Sequence, residues 1–289
     1  MRKNKIAMIV TFGGLLIILL VIFIFTTGMS AFKPDGDKLA LIEINGVITD
    51  SRETVRLIKK YDEDETIKAI ILRIDSPGGV VGPSQEIYAE LNKVSKSIIT
   101  SMGSVAASGG YYIACASDRI FANPGTITGS IGVVMSFPKL QELSKKIGYD
   151  KEVVKSGKYK DAGSSFREMT PEERQLFQSM VDDVHEQFVE AVFEGRQNAN
   201  LTREAIEELA DGRAFSGRQA LQMNLIDEIG TLYDAIDYAA EISGLKGKPK
   251  VIKKKERESL MDRFLGVKFG DKINSIMDNQ VSLRYELSF

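Results

Sequence analysis

The sequence predicts a mainly parallel α/β domain carried behind one membrane-spanning helix, and three observations lead there. Ala69-Ile-Ile-Leu-Arg-Ile74 is apolar at successive positions, so both faces of that strand are covered, as in a parallel sheet packed between helices. Strand-like and helix-like segments alternate from Leu39 to Ile242, the order that produces parallel pairing. Ile6–Phe25 is a run of twenty residues without a charge, long enough to cross a bilayer as a helix.

Taken in order, Met1–Lys5 is basic and precedes that run, which predicts a cytoplasmic N-terminus and an extracytoplasmic remainder. A cleaved signal peptide is the competing reading, but Thr26–Ala31 offers no clear small-x-small site before Ala31. Residues 26–37, with Pro34 and Gly36, form a linker. The globular part opens on a strand at Leu39–Asn45, followed by a helical pattern over Ser51–Tyr61 and the buried strand Ala69–Ile74. That strand runs into Asp75-Ser-Pro-Gly-Gly79, an amphipathic helix over Ser84–Val94, and a further strand at Ser97–Ser101. A tight turn at Ser108 then opens a short apolar helix.

Beyond it, strands are expected at Arg119–Ala122, Gly129–Val134 and Lys151–Val154, with a helix over Phe137–Ile147 and a polar loop at Ser156–Phe166. Thr170-Pro-Glu-Glu173 combines a threonine cap, proline at the first helical position and glutamate at the third, and opens a helix running to about Arg196. Helices over Leu201–Leu209, Ser216–Met223 and Thr231–Ile242 close a domain spanning 38–250. Residues 251–289 read as a mobile tail with a charged start, an amphipathic helix at Leu260–Phe264 and an alternating apolar-polar end, Val281–Phe289.

Composition narrows the chemistry. At 289 residues and 43% hydrophobic content the chain buries a full core, and its net charge of -2 argues against nucleic acid as a partner. Cys115 is the one cysteine, so no internal disulfide or thiolate cluster exists, and its apolar setting reads as a buried structural thiol. His185 is the one histidine and sits within a predicted helix, which removes a Ser-His-Asp triad as the natural reading. No histidine pair or carboxylate cluster offers a metal site, and no cofactor is called for.

Ser108 lies between small residues at a strand-to-helix turn, where free N–H groups and the positive end of a helix favour a developing oxyanion. The plainer reading is a helix cap. A serine nucleophile without histidine leaves lysine as base, feasible where burial favours the neutral amine. The loop Lys155-Ser-Gly-Lys-Tyr-Lys160 follows a predicted strand and supplies Lys155, Lys158 and Lys160, among which residue chemistry alone does not choose. Gly109 offers one oxyanion-hole amide and the Pro77-Gly78-Gly79 turn offers the other.

In combination, Asp75-Ser-Pro-Gly-Gly79, Ala106-Ala-Ser-Gly-Gly-Tyr-Tyr112, Thr128-Gly-Ser-Ile-Gly132, Gly157-Lys-Tyr-Lys160 and Asp211-Gly-Arg-Ala-Phe-Ser-Gly217 closely resemble the signal peptide peptidase A family over residues 38–245. The resemblance implies a Clp protease/crotonase-like α/β fold, with Ser108 as nucleophile, Lys160 as general base and Ser130 orienting that lysine. It also implies Gly79 and Gly109 as oxyanion-hole donors, with Gly78 as the alternative to Gly79. The chain is similar to the family's short form, which implies a ring-like homo-oligomer whose serine and lysine meet across a protomer boundary. The implied substrates are signal-peptide remnants in the membrane, held in grooves that take Leu-, Val- or Ala-like side chains. A crotonase-type acyl-CoA hydratase needs no such serine, and a silent membrane-tethered scaffold needs neither serine nor lysine. The alternating end Val281–Phe289 is also expected to be able to lie in the groove by strand addition.

Overall fold

The computed structural model describes residues 36–254 and 283–286, and one compact unit begins at Lys38. The expected membrane span at 6–25 and the expected helix Leu260–Phe264 lie outside the described residues. The strands are β1 Lys38–Asn45, β2 Ile67–Ser76, β3 Gly78–Val80, β4 Ser97–Ala107, β5 Arg119–Ala122, β6 Ile127–Gly129, β7 Val134–Met135, β8 Ala214–Ser216, β9 Glu228–Ile229, β10 Lys250–Lys253 and β11 Leu283–Glu286. The helices are α1 Arg52–Glu63, α2 Val81–Leu91, α3 Gly109–Ala114, α4 Gln141–Lys146, α5 Pro171–Gly195, α6 Arg203–Leu209, α7 Gly217–Gln222 and α8 Leu232–Ile242.

The main sheet runs β10-β1-β2-β4-β5-β9, parallel throughout, with β6 parallel on the far half of β4 and β8 antiparallel on β6. Successive residues of β2 serve two cores. Ile70, Leu72 and Ile74 face α1, α2 and α5, whereas Ala69 and Ile71 face Ala235 and Ala239 of α8. Burial on both sides is why this segment reads as continuous hydrophobic sequence.

β4 is longer than the expected Ser97–Ser101. Its first half pairs with β5 and its second, Val105–Ala107, with β6. Between the halves the register against β2 slips, and the Asp75 carboxylate fills the bulge, accepting from the Val105 N–H at 3.1 Å. A side chain at Gly103 would strike that carboxylate, since its Cβ would lie 2.6 Å from Asp75 Cγ. The bulge delivers Ala107 and Ser108 to the end of the sheet, beside Gly129 and Ser130.

Four expectations change. Lys151–Val154 forms no strand: Val154 is 95% exposed and no neighbouring strand pairs with the segment. Gly129–Val134 is interrupted, giving β6 and β7 in different sheets. The helix expected from Phe137 begins only at Gln141, beyond Pro138. The domain does not stop at 250, because Lys250–Lys253 extends the main sheet as β10, and Leu283–Glu286 forms the middle strand of a second sheet, β3-β11-β7.

The Thr170 capping box is complete, and α5 runs its 25 residues to a buried ion pair. Arg196, 3% exposed, donates from two guanidinium nitrogens to Asp227 at 2.8 and 3.0 Å, while Asp227 also accepts from the Ile120 N–H at 2.7 Å. This joins the end of α5 to β5. Asp227→Ala leaves the arginine charge buried and unpaired and is expected to cost about 3–5 kcal/mol, the usual loss on breaking such a pair. Urea unfolding measures it, and a change below about 1 kcal/mol would show that the pair behaves like a surface one.

Candidate active site

Ser108 stands between β4 and α3 with φ 52° and ψ -118°, a backbone state that non-glycine residues adopt only under constraint. The constraint is visible on both sides. Its N–H donates to the Gly129 carbonyl at 2.7 Å, and its carbonyl accepts from Tyr112 N–H at 2.8 Å. Ser108 is 1% exposed, and its Oγ has no hydrogen-bond partner among the described residues. Buried hydroxyls normally find partners, so an unpaired one at a strained turn is a poised group rather than a helix cap. No side-chain cap bond forms at α3.

Two glycine turns meet beside it. A Cβ on Gly78 would lie 2.7 Å from Gly109 N, one on Gly109 would lie 2.7 Å from Ser84 Oγ, and Gly78 itself has φ +99°. Only bare backbone fits here. Gly78 and Gly79 point their amides differently. The Gly78 N–H donates to Ser76 Oγ at 3.1 Å. Ile48 bridges Gly79 through Gly78 O and Val80 N, at 2.8 and 2.7 Å, so Gly79's own N–H and carbonyl face the opposite edge.

That edge is occupied by the chain's own C-terminal strand. β11 pairs antiparallel with β3 and β7, setting Tyr285 opposite Gly79 and Glu286 opposite Gly78. The Tyr285 carbonyl oxygen lies 2.0 Å from where a Gly78 Cβ would be and 3.2 Å from where a Gly109 Cβ would be. A peptide carbonyl therefore sits where the Gly79 and Gly109 backbones converge, next to Ser108.

Ser130 shares the setting of Ser108. It has φ 51°, follows the Ala107↔Gly129 pair, and gives its N–H to Arg213 O at 2.9 Å. It lines a cleft of about 400 Å³ with Val134, Asp182, His185 and Asp211 among the walls. His185 bonds the Ala210 carbonyl at 2.7 Å through Nε2 and makes no bond to Ser108 Oγ. Cys115 is buried, and desolvation pushes its thiol up to about 12, as a structural thiol requires.

The three loop lysines separate by environment. Lys155 is ion-paired with Asp161 and bonds Lys158 O at 3.1 Å, which holds it as a charged anchor. The Lys158 amine lies 5.2 Å from the Tyr159 ring centroid. Lys160 is exposed, and its amine has no hydrogen-bond or ion-pair partner among the described residues, Ser108 included. Within one chain the structure brings Ser108, Ser130, Gly79 and Gly109 together and leaves Lys160 apart.

Comparison with known proteins places the chain in a family. The peptidase family S49 profile matches residues 90–246, covering Ser108, Ser130 and Lys160. The chain belongs to peptidase family S49. The Clp protease profile matches residues 42–127 of this S49 chain, the part that forms β1 to β5. A protease-named protein of Synechocystis sp. is 46% identical over 211 residues, 72% of this chain and 75% of that one. A protein of Enterococcus faecium named for signal peptide peptidase SppA is 35% identical over 250 residues, 81% of this chain and 72% of that one. The chloroplastic serine protease SPPA of Arabidopsis thaliana is 37% identical over 208 residues, which is 70% of this chain but 30% of that longer protein.

Sequence reasoning did not find the aromatic cluster around Tyr285, which comes from α2, α3, α5 and β11. The doublet Tyr111-Tyr112 after the serine was the available signal.

Two outcomes follow from this geometry. Arg167 bonds Asp161 at 3.0 Å and Glu173 at 2.8 Å, tying the lysine loop to the start of α5. That arginine, with the Thr170 N–H, holds the Glu173 carboxyl down to about 2 from an ordinary 4.5. A lowered acid pKa stabilises above its ordinary value, so loop protection should be intact above pH 4.5 and fail only as pH falls toward 2. Amide exchange across residues 155–170 reads this, and protection lost already above pH 4.5 would contradict it. Ending the chain after Lys254 removes β11 and spares β10. Turnover of a short peptide should rise several-fold, and unchanged turnover would mean the strand does not obstruct the groove.

Proposed function

We propose that this S49 chain is a membrane-anchored serine endopeptidase that uses Ser108 and Lys160 to degrade signal-peptide remnants. The observation that carries the reading is a peptide carbonyl, that of Tyr285, seated against Gly78 and Gly109 beside the strained and unpartnered Ser108 hydroxyl. An extended strand lying antiparallel in this groove favours peptide over an acyl-CoA ligand.

In the proposed reaction the Lys160 amine takes the Ser108 Oγ proton as Oγ attacks the substrate carbonyl. The oxyanion is held by the N–H groups of Gly79 and Gly109, aimed before the charge develops. The lysine returns its proton to the leaving amine. Water then hydrolyses the acyl-enzyme with the same lysine as base, releasing a carboxylate and free Ser108. Ser130 orients the amine. Gly79 is preferred to Gly78 as donor because the Gly78 N–H is already given to Ser76 Oγ.

Lys160 comes from a neighbouring protomer in a ring-like homo-oligomer. Leu143, Ile147 and Val154, at 56%, 70% and 95% exposure, present an apolar surface in the segment that carries the lysine loop. The Leu140 N–H donates to Ser165 O at 2.7 Å, joining that surface to the loop. A second copy docking there covers the patch and delivers Lys160 into the cleft beside Ser130, and enclosure favours a neutral lysine amine. The uncharged run Ile6–Phe25 supplies the anchor, with a cytoplasmic N-terminus and the catalytic domain outside. Tethering concentrates the site near membrane-held peptides, and the name of the Enterococcus relative supports that substrate class.

The test is complementation between inactive variants of the full-length chain. Ser108→Ala and Lys160→Ala should each lose at least about a thousandfold in kcat while keeping the native circular dichroism. Mixed and reassembled, they should regain about a quarter of the sites, since random neighbours restore one serine–lysine boundary in four. Activity in Ser108→Ala alone would end the peptidase reading. Folded, inactive variants that never complement would place both residues in one protomer.

A further inference from the structure

The cleft beside Ser130 and the loop that carries Lys160 belong to regions of opposite charge. Residues 139–160 hold seven lysines against three acids. Residues 171–211, which include α5 and α6, hold eleven acids against three arginines. Charges of opposite sign steer two surfaces together and fix their register. Where the contact forms depends on which of these charges lack a partner within the chain.

On the loop, Lys155 is ion-paired with Asp161, and the Lys151 amine lies 5.3 Å from the Phe166 ring centroid. Lys158 and Lys160 are exposed and have no ion-pair partner among the described residues. On the acidic side, Arg203 pairs with Glu186, Glu190 and Glu207, and Asp211 is held by Arg213 Nε at 2.7 Å. Asp182 differs. Its carboxylate forms no ion pair among the described residues and accepts only from the neutral Gln178 amide, at 2.7 Å. It lines the 400 Å³ cleft together with Ser130. Ser130 is 5% exposed, and its hydroxyl has no hydrogen-bond partner among the described residues. A buried, unpartnered hydroxyl and an uncompensated carboxylate in one cleft call for two donors from outside.

The two free lysines match those two receptors, and electrostatics decides the order. A carboxylate beside an amine favours the charged form, so a lysine serving as base must stand away from Asp182. The lysine against Asp182 is then a charged anchor. Two residues of chain span at most about 7 Å, so both amines can enter a cleft of this size. We propose that Lys158 of one protomer pairs with Asp182 of its neighbour, which seats the loop so that Lys160 reaches Ser130 and Ser108. The proposal rests on the peptidase reading above, in which Lys160 is the base and crosses a protomer boundary. Lys158 and Asp182 are positioning residues in it, and neither touches the reacting atoms.

The test uses the full-length chain in detergent and follows two rates across protein dilution, cleavage of a fluorogenic peptide and fluorophosphonate labelling of Ser108. Lys158→Glu and Asp182→Lys each set like charges across the boundary. Each should raise the protein concentration needed for half-maximal rate by about tenfold. Combining them restores the pair with its charges exchanged, and should return that concentration to within about threefold of the unsubstituted chain. Labelling reports the arrival of Lys160 without any substrate, so it should follow the same order. Single variants that match the unsubstituted chain at every dilution would overturn the ion pair. So would a doubly substituted chain no better than either single one. In both cases an inactive Lys160→Ala shows that the serine–lysine reading still stands. Activity in Lys160→Ala would remove that reading and this inference with it.

Discussion

Everything at the site depends on two stretches of backbone coming closer than side chains allow. Gly78 and Gly109 approach until a Cβ on the first would lie 2.7 Å from the nitrogen of the second, and Gly110 passes the Ser76 carbonyl with only 3.0 Å for its own Cβ. The contact joins the turn from β2 into β3 to the start of α3, segments distant in sequence that meet because β2 and β4, the strands leading into them, are neighbours in the sheet. With that approach made, one peptide carbonyl can touch both turns at once. A methyl at either glycine would force the two turns apart.

Ser108 and the loop that carries Lys160 are stabilised by different physics. Ser108 is held by backbone: hydrogen bonds to Gly129 O and from Tyr112 N on either side of a strained φ, with the sheet bearing the strain. Lys160 sits on a loop with no sheet partner, and charge takes the sheet's place. Lys155, Asp161, Arg167 and Glu173 form a chain of ion pairs that ends in the Thr170 capping box of α5. The chain uses up Lys155 as an anchor and leaves the Lys160 amine available. A loop held this way keeps the Lys160 side chain on the surface.

Much of this was legible in the sequence because it is local. Ala69–Ile74 shows its two-sided burial in its composition, and Thr170-Pro-Glu-Glu173 specifies a helix start through groups three residues apart. Ser108, Gly109 and the Pro77-Gly78-Gly79 turn could be singled out because small residues cluster there, whereas Ser130 and the preference for Gly79 came from the family resemblance. The misses share a cause. Lys151–Val154 has strand-like residues but no edge to pair with, and pairing is not a property of the segment itself. The extension of β4 past Ser101 depends on Asp75 filling a bulge from another strand. The direction of the Gly78 and Gly79 amides is set by Ser76 and Ile48, the first two residues from Gly78 and the second on a separate segment. The aromatic pocket draws on four elements, so no spacing announces it.

The second sheet gives the groove beside Ser108 two kinds of contact, one from main chain and one from side chains. A strand added between β3 and β7 is held by main-chain hydrogen bonds, which any extended peptide offers and which set direction and register. Register then brings the Tyr285 side chain to the pocket of Tyr112, Phe188, Gln85 and Val184. In its own C-terminal strand the chain satisfies both demands together, with Tyr285 in the pocket and its carbonyl at the paired glycines. A substrate must displace that strand, and main-chain pairing alone cannot favour it, because the occupant makes the same bonds. The difference has to come from the side chains or from the ease with which the terminal strand lets go.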